Sequence, residues 1–223
     1  MMVNMKLVIL NTSVVAAARD HNPTVLHPYF LQHAEVVPED WELAEPAFCT
    51  QGVSVVRYTN GIAFTVDSSK LQIVDNNPPV NCDSSPTPGL AERYLRALPH
   101  VQYTAVGINV GGFIECTDAN EMLVSRFLRE GPWNSAGLRP SALGLHFVYP
   151  AKNATLHVTC DAAVLSRKED QSLRMAGVIA NGNYHTDLPA SQPLDHAAVA
   201  ISLFCERLHN FESIVQTMFE LED

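Results

Sequence analysis

An apolar series near the C-terminus constrains the fold of this 223-residue chain more than any other pattern. Its spacing of three and four residues places eight side chains on one stripe of a helix. The members are Leu194, Ala197, Ile201, Phe204, Leu208, Phe211, Val215 and Met218. Additional apolar residues widen the stripe where a coiled coil would carry charged pairs. The pattern predicts one long helix, capped by Ser191, that lies across a sheet inside the same globule.

Alternating segments elsewhere predict the sheet. Strands joined by short turns, with helices between groups of them, indicate an α+β fold. We expect a mostly antiparallel sheet of about six to seven strands with helices packed on one face. The loop 76–88 contains four prolines, and the strand pattern resumes after it. We therefore expect a single α+β domain over 1–223 with this loop inside it.

Two short motifs predict the register of one hairpin and the start of one helix. In the hairpin 53–66, Asn60-Gly61 favours a two-residue type I′ turn, which places Arg57 opposite Phe64. Asp118 followed by Glu121 has the spacing of a capping box at the start of a helix.

Further signals predict a helix over 88–98 with Thr87 as its N-cap, and a strand over 173–180. We expect that strand to end in a turn at Asn181-Gly182, because Asn-Gly is a preferred turn pair.

Charge and composition exclude some classes of function. The formal net charge is −10 and the only short basic cluster is Arg167-Lys168, so a nucleic-acid partner is not expected. Five scattered cysteines, without a C-x-x-C pair, argue against a disulfide framework and for a reducing compartment. No apolar run is long enough to cross a bilayer. We expect a cytoplasmic protein without a membrane partner.

His146 and His157 form the candidate site that the sequence marks most clearly. If the loop after Tyr149 has four residues, Ala154 opposes Tyr149 and the two histidines lie directly opposite each other on the outer face. Opposed imidazoles bind a divalent metal when a third ligand is present, or respond to pH through mutual repulsion. A polar outer sheet face and an interface are the other open interpretations. No third ligand is evident in the hairpin.

A second set, His157, Cys160 and Asp161, has residue types found in nucleophilic sites. Residues three apart on a strand point to opposite faces, so His157 is not expected to reach the Cys160 thiol. We expect Cys160 to be a small buried hydrophobic residue.

The remaining histidines show no ligand spacing. His21, His27 and His33 recur every six residues, which fits neither a helix nor a strand. We expect them in turns and on the surface, with metal binding as the alternative. His196 and His209 belong to the polar side of the last helix.

Several stretches resemble a family of uncharacterised conserved bacterial proteins. They are HNPTVLHPYFL at 21–31, VPEDWEL at 37–43, YTNGIAF at 58–64, RYLRALPHVQYTAVGINVGG at 93–112 and ERLHNFESIVQTMFE at 206–220. The resemblance covers most of the chain and implies a bacterial cytoplasmic origin and one mixed α+β domain. It implies no functional residues.

Composition and missing motifs guide the functional prediction. Charged residues make up 17% of the chain, against a usual share of about a quarter. Nucleotide-binding, hydrolase and metalloprotease motifs are missing from the sequence. We expect a non-catalytic protein that self-associates as a dimer through an uncovered sheet face or edge, without a cofactor or metal. The alternative is a small-ligand-binding or hydrolytic protein with a pocket between sheet and helices, involving His146 and His157.

Overall fold

A computed structural model describes residues 5–129, 131–134, 140–166 and 174–221. Within these ranges nine strands form one antiparallel sheet in the order β2-β3-β4-β5-β1-β6-β9-β8-β7. The strands are β1 Leu7–Arg19, β2 Phe48–Cys49, β3 Val53–Arg57, β4 Ile62–Asp67, β5 Lys70–Asp75, β6 Gln102–Glu115, β7 Gly144–Ala151, β8 Ala154–Ser166 and β9 Arg174–Asp187. The α-helices are α1 Pro28–His33, α2 Thr87–Ala97, α3 Ala119–Phe127, α4 Pro193–Ser202 and α5 Phe204–Phe219. The predicted α+β class is confirmed, whereas the predicted strand number is too small.

The helices pack on one face of the sheet, where the core lies. Helix α2 contacts β1 and β5, α3 contacts β8 and β9, α4 contacts β6, and α5 contacts β1, β6 and β9. On central strand β6 the side chains of Val106, Ile108, Val110 and Ile114 are almost fully buried beneath them. Ala105, Gly107, Asn109 and Gly111 point to the opposite face, as the period of two requires. Tyr103 lies in the core, because the register with β1 shifts by one residue before Ala105. No helix in the described ranges has the length and apolar composition needed to cross a bilayer.

The C-terminal stripe is divided between α4 and α5. Leu203, with φ −83° and ψ 9°, ends one helix and precedes the next. A straight helix from Pro193 to Phe219 would be about 40 Å long and could not follow a twisted sheet over that length. The packing of the stripe on the sheet is confirmed, but the single long helix is wrong. Gln192, in the left-handed conformation, occupies the N-cap position predicted for Ser191.

The hairpin of β3 and β4 has a different register from the predicted one. The amide of Tyr58 donates to the carbonyl of Ile62, and Gly61 alone in this turn has a positive φ, of 95°. The loop therefore has three residues and ends in a left-handed glycine. Val56, rather than Arg57, pairs with Phe64. Because a one-residue shift exchanges the two faces, this register buries Val56 and leaves Arg57 exposed.

Strand β9 continues through the predicted turn at Asn181-Gly182. Asn181 pairs with Gly111 and Gly182 pairs with Val110, in the middle of the sheet. The absence of a side chain at Gly182 makes room for the Phe211 ring of α5. Tertiary packing therefore overrides the local turn preference of the Asn-Gly pair, and the predicted turn is wrong.

Helix caps follow the sequence signals in part. The Asp118 side chain accepts a hydrogen bond of 2.9 Å from the backbone amide of Glu121, which confirms it as the N-cap of α3. Helix α2 begins one residue earlier than predicted, at Thr87, with Pro86 in the N-cap position.

Two of the five cysteines are joined across a long sequence separation. Cys82, in a short 3-10 helix over Cys82–Ser84, forms a disulfide with Cys205 in the first turn of α5. The two Cα atoms are 5.6 Å apart, which is within the usual range for such a bond. The bond ties the proline-rich loop to α5, a proximity that the cysteine spacing in the sequence did not indicate.

Candidate functional site

A row of polar side chains crosses the sheet face that points away from the helices. Ser13 on β1 pairs with Asn109 on β6, Asn109 with Asn183 on β9, and Asn183 with His157 on β8. His146 on the outermost strand, β7, lies diagonally beside His157. We call these five residues the polar row. They occupy five neighbouring strands, so the row depends on the sheet register and not on sequence proximity.

Hydrogen bonds connect the central part of the polar row. The side-chain amide of Asn109 donates to the Ser13 hydroxyl at 3.0 Å, and the side-chain amide of Asn183 donates to the Asn109 carbonyl oxygen. Ser13 is 3% exposed, so its hydroxyl depends on this bond. The chain of bonds orients both amides across three strands.

A shallow concave region of about 430 Å³ lies beside the polar row. Its lining includes the small residues Ala17, Ala105 and Gly107 and the side chains of Lys70 and His185. Amides and imidazoles both donate and accept hydrogen bonds. The region can therefore bind a polar surface, but its shallow form does not enclose a small substrate.

The predicted contact between His146 and His157 is present, although the predicted register is wrong. Ala151 pairs with Ala154, so His146 lies opposite Thr159 and Val148 lies opposite His157. The two imidazoles meet diagonally, with Nε2 of His146 3.1 Å from Nδ1 of His157. Their ring centroids are 5.3 Å apart. A shift of two residues keeps every side chain on its predicted face, which explains why the contact survives.

The two histidines form a hydrogen bond with each other and do not make up a metal site. A hydrogen bond between two imidazole nitrogens needs one of them as donor and the other as acceptor. Among the described residues, no third side chain joins the two rings in a cluster with metal-ligand spacing. Two ligands do not complete a metal site. The pair also points away from the helices, so it cannot line a pocket between them and the sheet.

The Cys160 thiol is unsuited to nucleophilic chemistry. Cys160 is fully buried on the helix side of β8, whereas His157 lies on the other face. Burial, with a smaller contribution from the charge of Asp161, raises the pKa of the thiol to about 12. A reactive cysteine requires the thiolate form. The interpretation of Cys160 as a buried hydrophobic residue is confirmed.

The three N-terminal histidines do not converge. His27 caps α1 by accepting a hydrogen bond from the amide of Tyr29, and His33 stacks on the Tyr29 ring at 5.5 Å. His21 is 3% exposed, between the rings of Tyr94 and Tyr103. Burial lowers the pKa of His21 below its ordinary value of 6.5. Contrary to expectation, His21 is therefore a core residue.

A second site lies between the end of the sheet and α5. Arg207 is 4% exposed and its Nη2 donates to the Thr186 hydroxyl at 3.0 Å. Its guanidinium carbon is 5.6 Å from the centroid of the Tyr184 ring. The buried Nη1 has no hydrogen-bond partner in the described part of the chain. Arg207 lines a cavity of about 320 Å³ together with Lys152 and Asn210.

Sequence reasoning missed the central polar residues and Arg207. The odd positions in the middle of β6 are Ala105, Gly107, Asn109 and Gly111, a small and polar series that is typical of a face without a helix layer. Asn183 was hidden because the preceding Asn-Gly pair resembles a turn. Arg207 has the usual character of a solvated helical residue, and no local signal indicates its burial.

Comparison of the sequence with models of known families and with curated proteins gives no match. The resemblance to uncharacterised bacterial proteins therefore stays a prediction.

Proposed function

We propose that this protein is a non-catalytic interaction protein that self-associates by pairing the free edges of two β7 strands. One observation carries the proposal: β7, Gly144–Ala151, pairs with β8 on one side, and no described strand pairs with its other side. Its sequence, GLHFVYPA, contains no Lys, Arg, Asp or Glu. Edge strands that must stay unpaired usually carry charges or proline. This strand has no charge, and its one proline, Pro150, is the residue before its last.

The opposite edge of the sheet is protected, which makes β7 the better candidate. Strand β2 has two residues, and a short edge strand gives little backbone for pairing. The adjoining stretch is covered by the chain itself: Thr59 donates to the carbonyl of Glu42, and Ala44 donates to that of Arg57. The two edges of one sheet therefore differ in the way expected if only β7 meets a partner.

A second copy of the chain is the partner that fits this edge. Two antiparallel β7 strands related by a two-fold axis present the same residues to each other. Pairing would extend the sheet through backbone hydrogen bonds. The side chain of Val148 is 55% exposed and would become covered. The low charged fraction of 17% supports a surface that is partly covered by another chain.

Val148→Lys tests the proposal because it adds a charge to the edge strand. Val199→Lys on α4 is the matched control, since Val199 is 58% exposed and lies on a helix. Sedimentation of the wild-type chain and the control at tens of micromolar should give twice the 24.5 kDa mass of one chain. Val148→Lys should give a monomer. A monomeric wild type, or equal dissociation by both variants, would contradict the proposal.

The same proposal places the protein in a bacterial cytoplasm, as a dimer without a nucleic-acid partner. The net charge of −10 supports the last point, because phosphate binding requires basic clusters. A mobility assay with duplex DNA and RNA at low salt should show no complex.

The second candidate function is binding of a small anion at Arg207. Its guanidinium is positively charged, and no carboxylate in the described residues forms an ion pair with it. Glu206 lines the same cavity and its charge acts on Arg207, but the buried Nη1 still has no hydrogen-bond partner among the described residues. A carboxylate or phosphate bound in the cavity would supply that partner and neutralise the guanidinium. This site, and not the histidine pair, is the pocket between sheet and helices that a ligand-binding function requires.

Arg207→Met separates the second candidate from a purely structural role. Methionine keeps much of the volume and removes the buried charge, so the fold should be retained. Inorganic phosphate and citrate should raise the melting temperature of the wild type and of the control Arg126→Met, but not that of Arg207→Met. If both anions act equally on all three proteins, or on none, the cavity does not bind anions.

A further inference from the structure

The loop 76–88 and the first turns of α5 bring together four side chains of the kinds that bind zinc. Cys82 and Asp83 lie in the loop, and Cys205 and His209 lie on α5. The sulfur atoms of both cysteines and a carboxylate oxygen of Asp83 lie within 4.8 Å of one another. Nε2 of His209 is 3.8 Å from Sγ of Cys82. Three donors thus form one cluster, and His209 lies beside its Cys82 member, although the two segments are far apart in sequence.

The helix itself aligns two of these donors. Cys205 and His209 are four residues apart, so their side chains project from the same face of α5, one turn from each other. Cys205 lies in the first turn, where the positive end of the helix favours a thiolate. Cys82 is 3% exposed, which shields one ligand from solvent. Asp83 and His209 are exposed and close the outer side.

We propose that the reduced chain binds one zinc ion through Cys82, Cys205, His209 and Asp83, and that the disulfide is the oxidised, metal-free form of the same site. Zinc bonds of about 2.0–2.3 Å in a tetrahedron place neighbouring donor atoms roughly 3.3–3.8 Å apart. The distance between His209 and Cys82 has this size. Once the bond between them is broken, the two sulfur atoms separate, and the exposed side chains of Asp83 and His209 turn toward the ion.

A dithiol reductant converts the disulfide form into the form that binds zinc. The dithiol transfers two electrons and two protons to the disulfide and itself becomes a disulfide. Zinc then displaces the protons of the two thiols and binds the thiolates. A bound ion would hold the loop against α5 as the disulfide does, so both forms keep this packing. The proposal is independent of self-association through β7.

A cobalt titration of the full chain tests the site. The protein is reduced with a phosphine under anaerobic conditions, and Co²⁺ is added as a spectroscopic substitute for zinc. We expect one Co²⁺ per chain, visible absorption of a tetrahedral thiolate complex, and its loss when Zn²⁺ is added. A reduced chain that binds no Co²⁺, or shows no thiolate absorption, would establish the disulfide as the sole role of the cysteines.

Exposed ligands give the informative variants, because their replacement leaves the core intact. His209→Ala and Asp83→Asn should each weaken Co²⁺ binding by about tenfold or more, while His196→Ala on α4 should not. Cys205→Ser should lower the thiolate absorption to about half or less, because only the Cys82 thiolate remains, whereas Cys49→Ser, at an exposed free cysteine, should preserve it. Unchanged affinity in His209→Ala and Asp83→Asn would overturn the four-ligand site.

Discussion

The ring of Phe211 on α5 rests on the backbone of Gly182 in β9, where a Cβ atom would come within 2.5 Å of the ring. Phe211 is fully buried, and Gly182 lies in the centre of the sheet. This contact sets how closely α5 approaches the strands. It also explains why a glycine with turn-forming character occupies a strand.

Gly182→Ala should lower the free energy of unfolding by about 1–3 kcal/mol, because either the aromatic ring or the strand must move. Chemical denaturation measures the difference. Gly52→Ala is the control, since a Cβ at Gly52 meets no atom within 4 Å. Its stability should be unchanged or slightly higher. Equal effects at the two glycines would show that the contact between α5 and β9 is looser than described.

Asn109→Ala should cost about 1–2 kcal/mol of stability, because it leaves the buried Ser13 hydroxyl without its partner. The amide of Asn183 also loses its acceptor. Asn181→Ala on the same face is the control, and its effect should stay within about 0.5 kcal/mol, since this side chain is exposed. Urea unfolding of Asn109→Ala, of Asn183→Ala and of the double variant measures the coupling between the two side chains. If the stability losses of the single variants add up to that of the double variant, the two hydrogen bonds of Asn109 act independently.

Stability should fall in mildly acidic solution, in part because of His21. Burial lowers the pKa of His21, opposed by the Asn22 backbone and by the Asp67 charge. The unfolded chain takes up a proton near the ordinary pKa of 6.5, while the folded chain still excludes it. The free energy of unfolding is therefore unaffected by protonation of His21 above pH 6.5. It declines as the pH falls from 6.5 through the pKa of His21 in the folded chain.

His21→Phe should flatten that decline relative to the wild type, whereas His33→Phe, at an exposed histidine, should not. Denaturation at a series of pH values below 7 measures both slopes. Parallel curves for all three proteins would mean that His21 binds protons equally in the folded and unfolded chains.

Asp118→Ala should destabilise the protein by about 1 kcal/mol, because α3 loses the acceptor for the Glu121 amide. Asp40→Ala removes one exposed acidic side chain outside the helices and serves as a control for net charge. Thermal unfolding distinguishes the two. A loss of equal size in both variants would attribute the effect to charge and not to capping.

The spacing of residues along the chain was sufficient to predict the features that depend on a single helix or strand. The alternation in β6 correctly identifies Ile108 and Val110 as core residues. The spacing of Asp118 and Glu121 correctly identifies Asp118 as the N-cap of α3. The apolar stripe correctly predicts that the C-terminal segment lies on the sheet. The contact of His146 with His157 was also predictable, because an error of two residues in register preserves the face.

Tertiary structure decided the features that depend on how elements meet. The turn after Tyr58 shifts β3 by one residue and thereby selects Val56 for the core. The Phe211 ring packs against Gly182 within a strand, and the C-terminal segment divides into two helices at Leu203. Cys82 and Cys205 approach each other across 123 residues of sequence. The periodicity of a sequence indicates which side of a helix or strand is apolar. Strand register, and the contacts between residues far apart in sequence, arise from packing between distant segments. Only the tertiary structure therefore determines them.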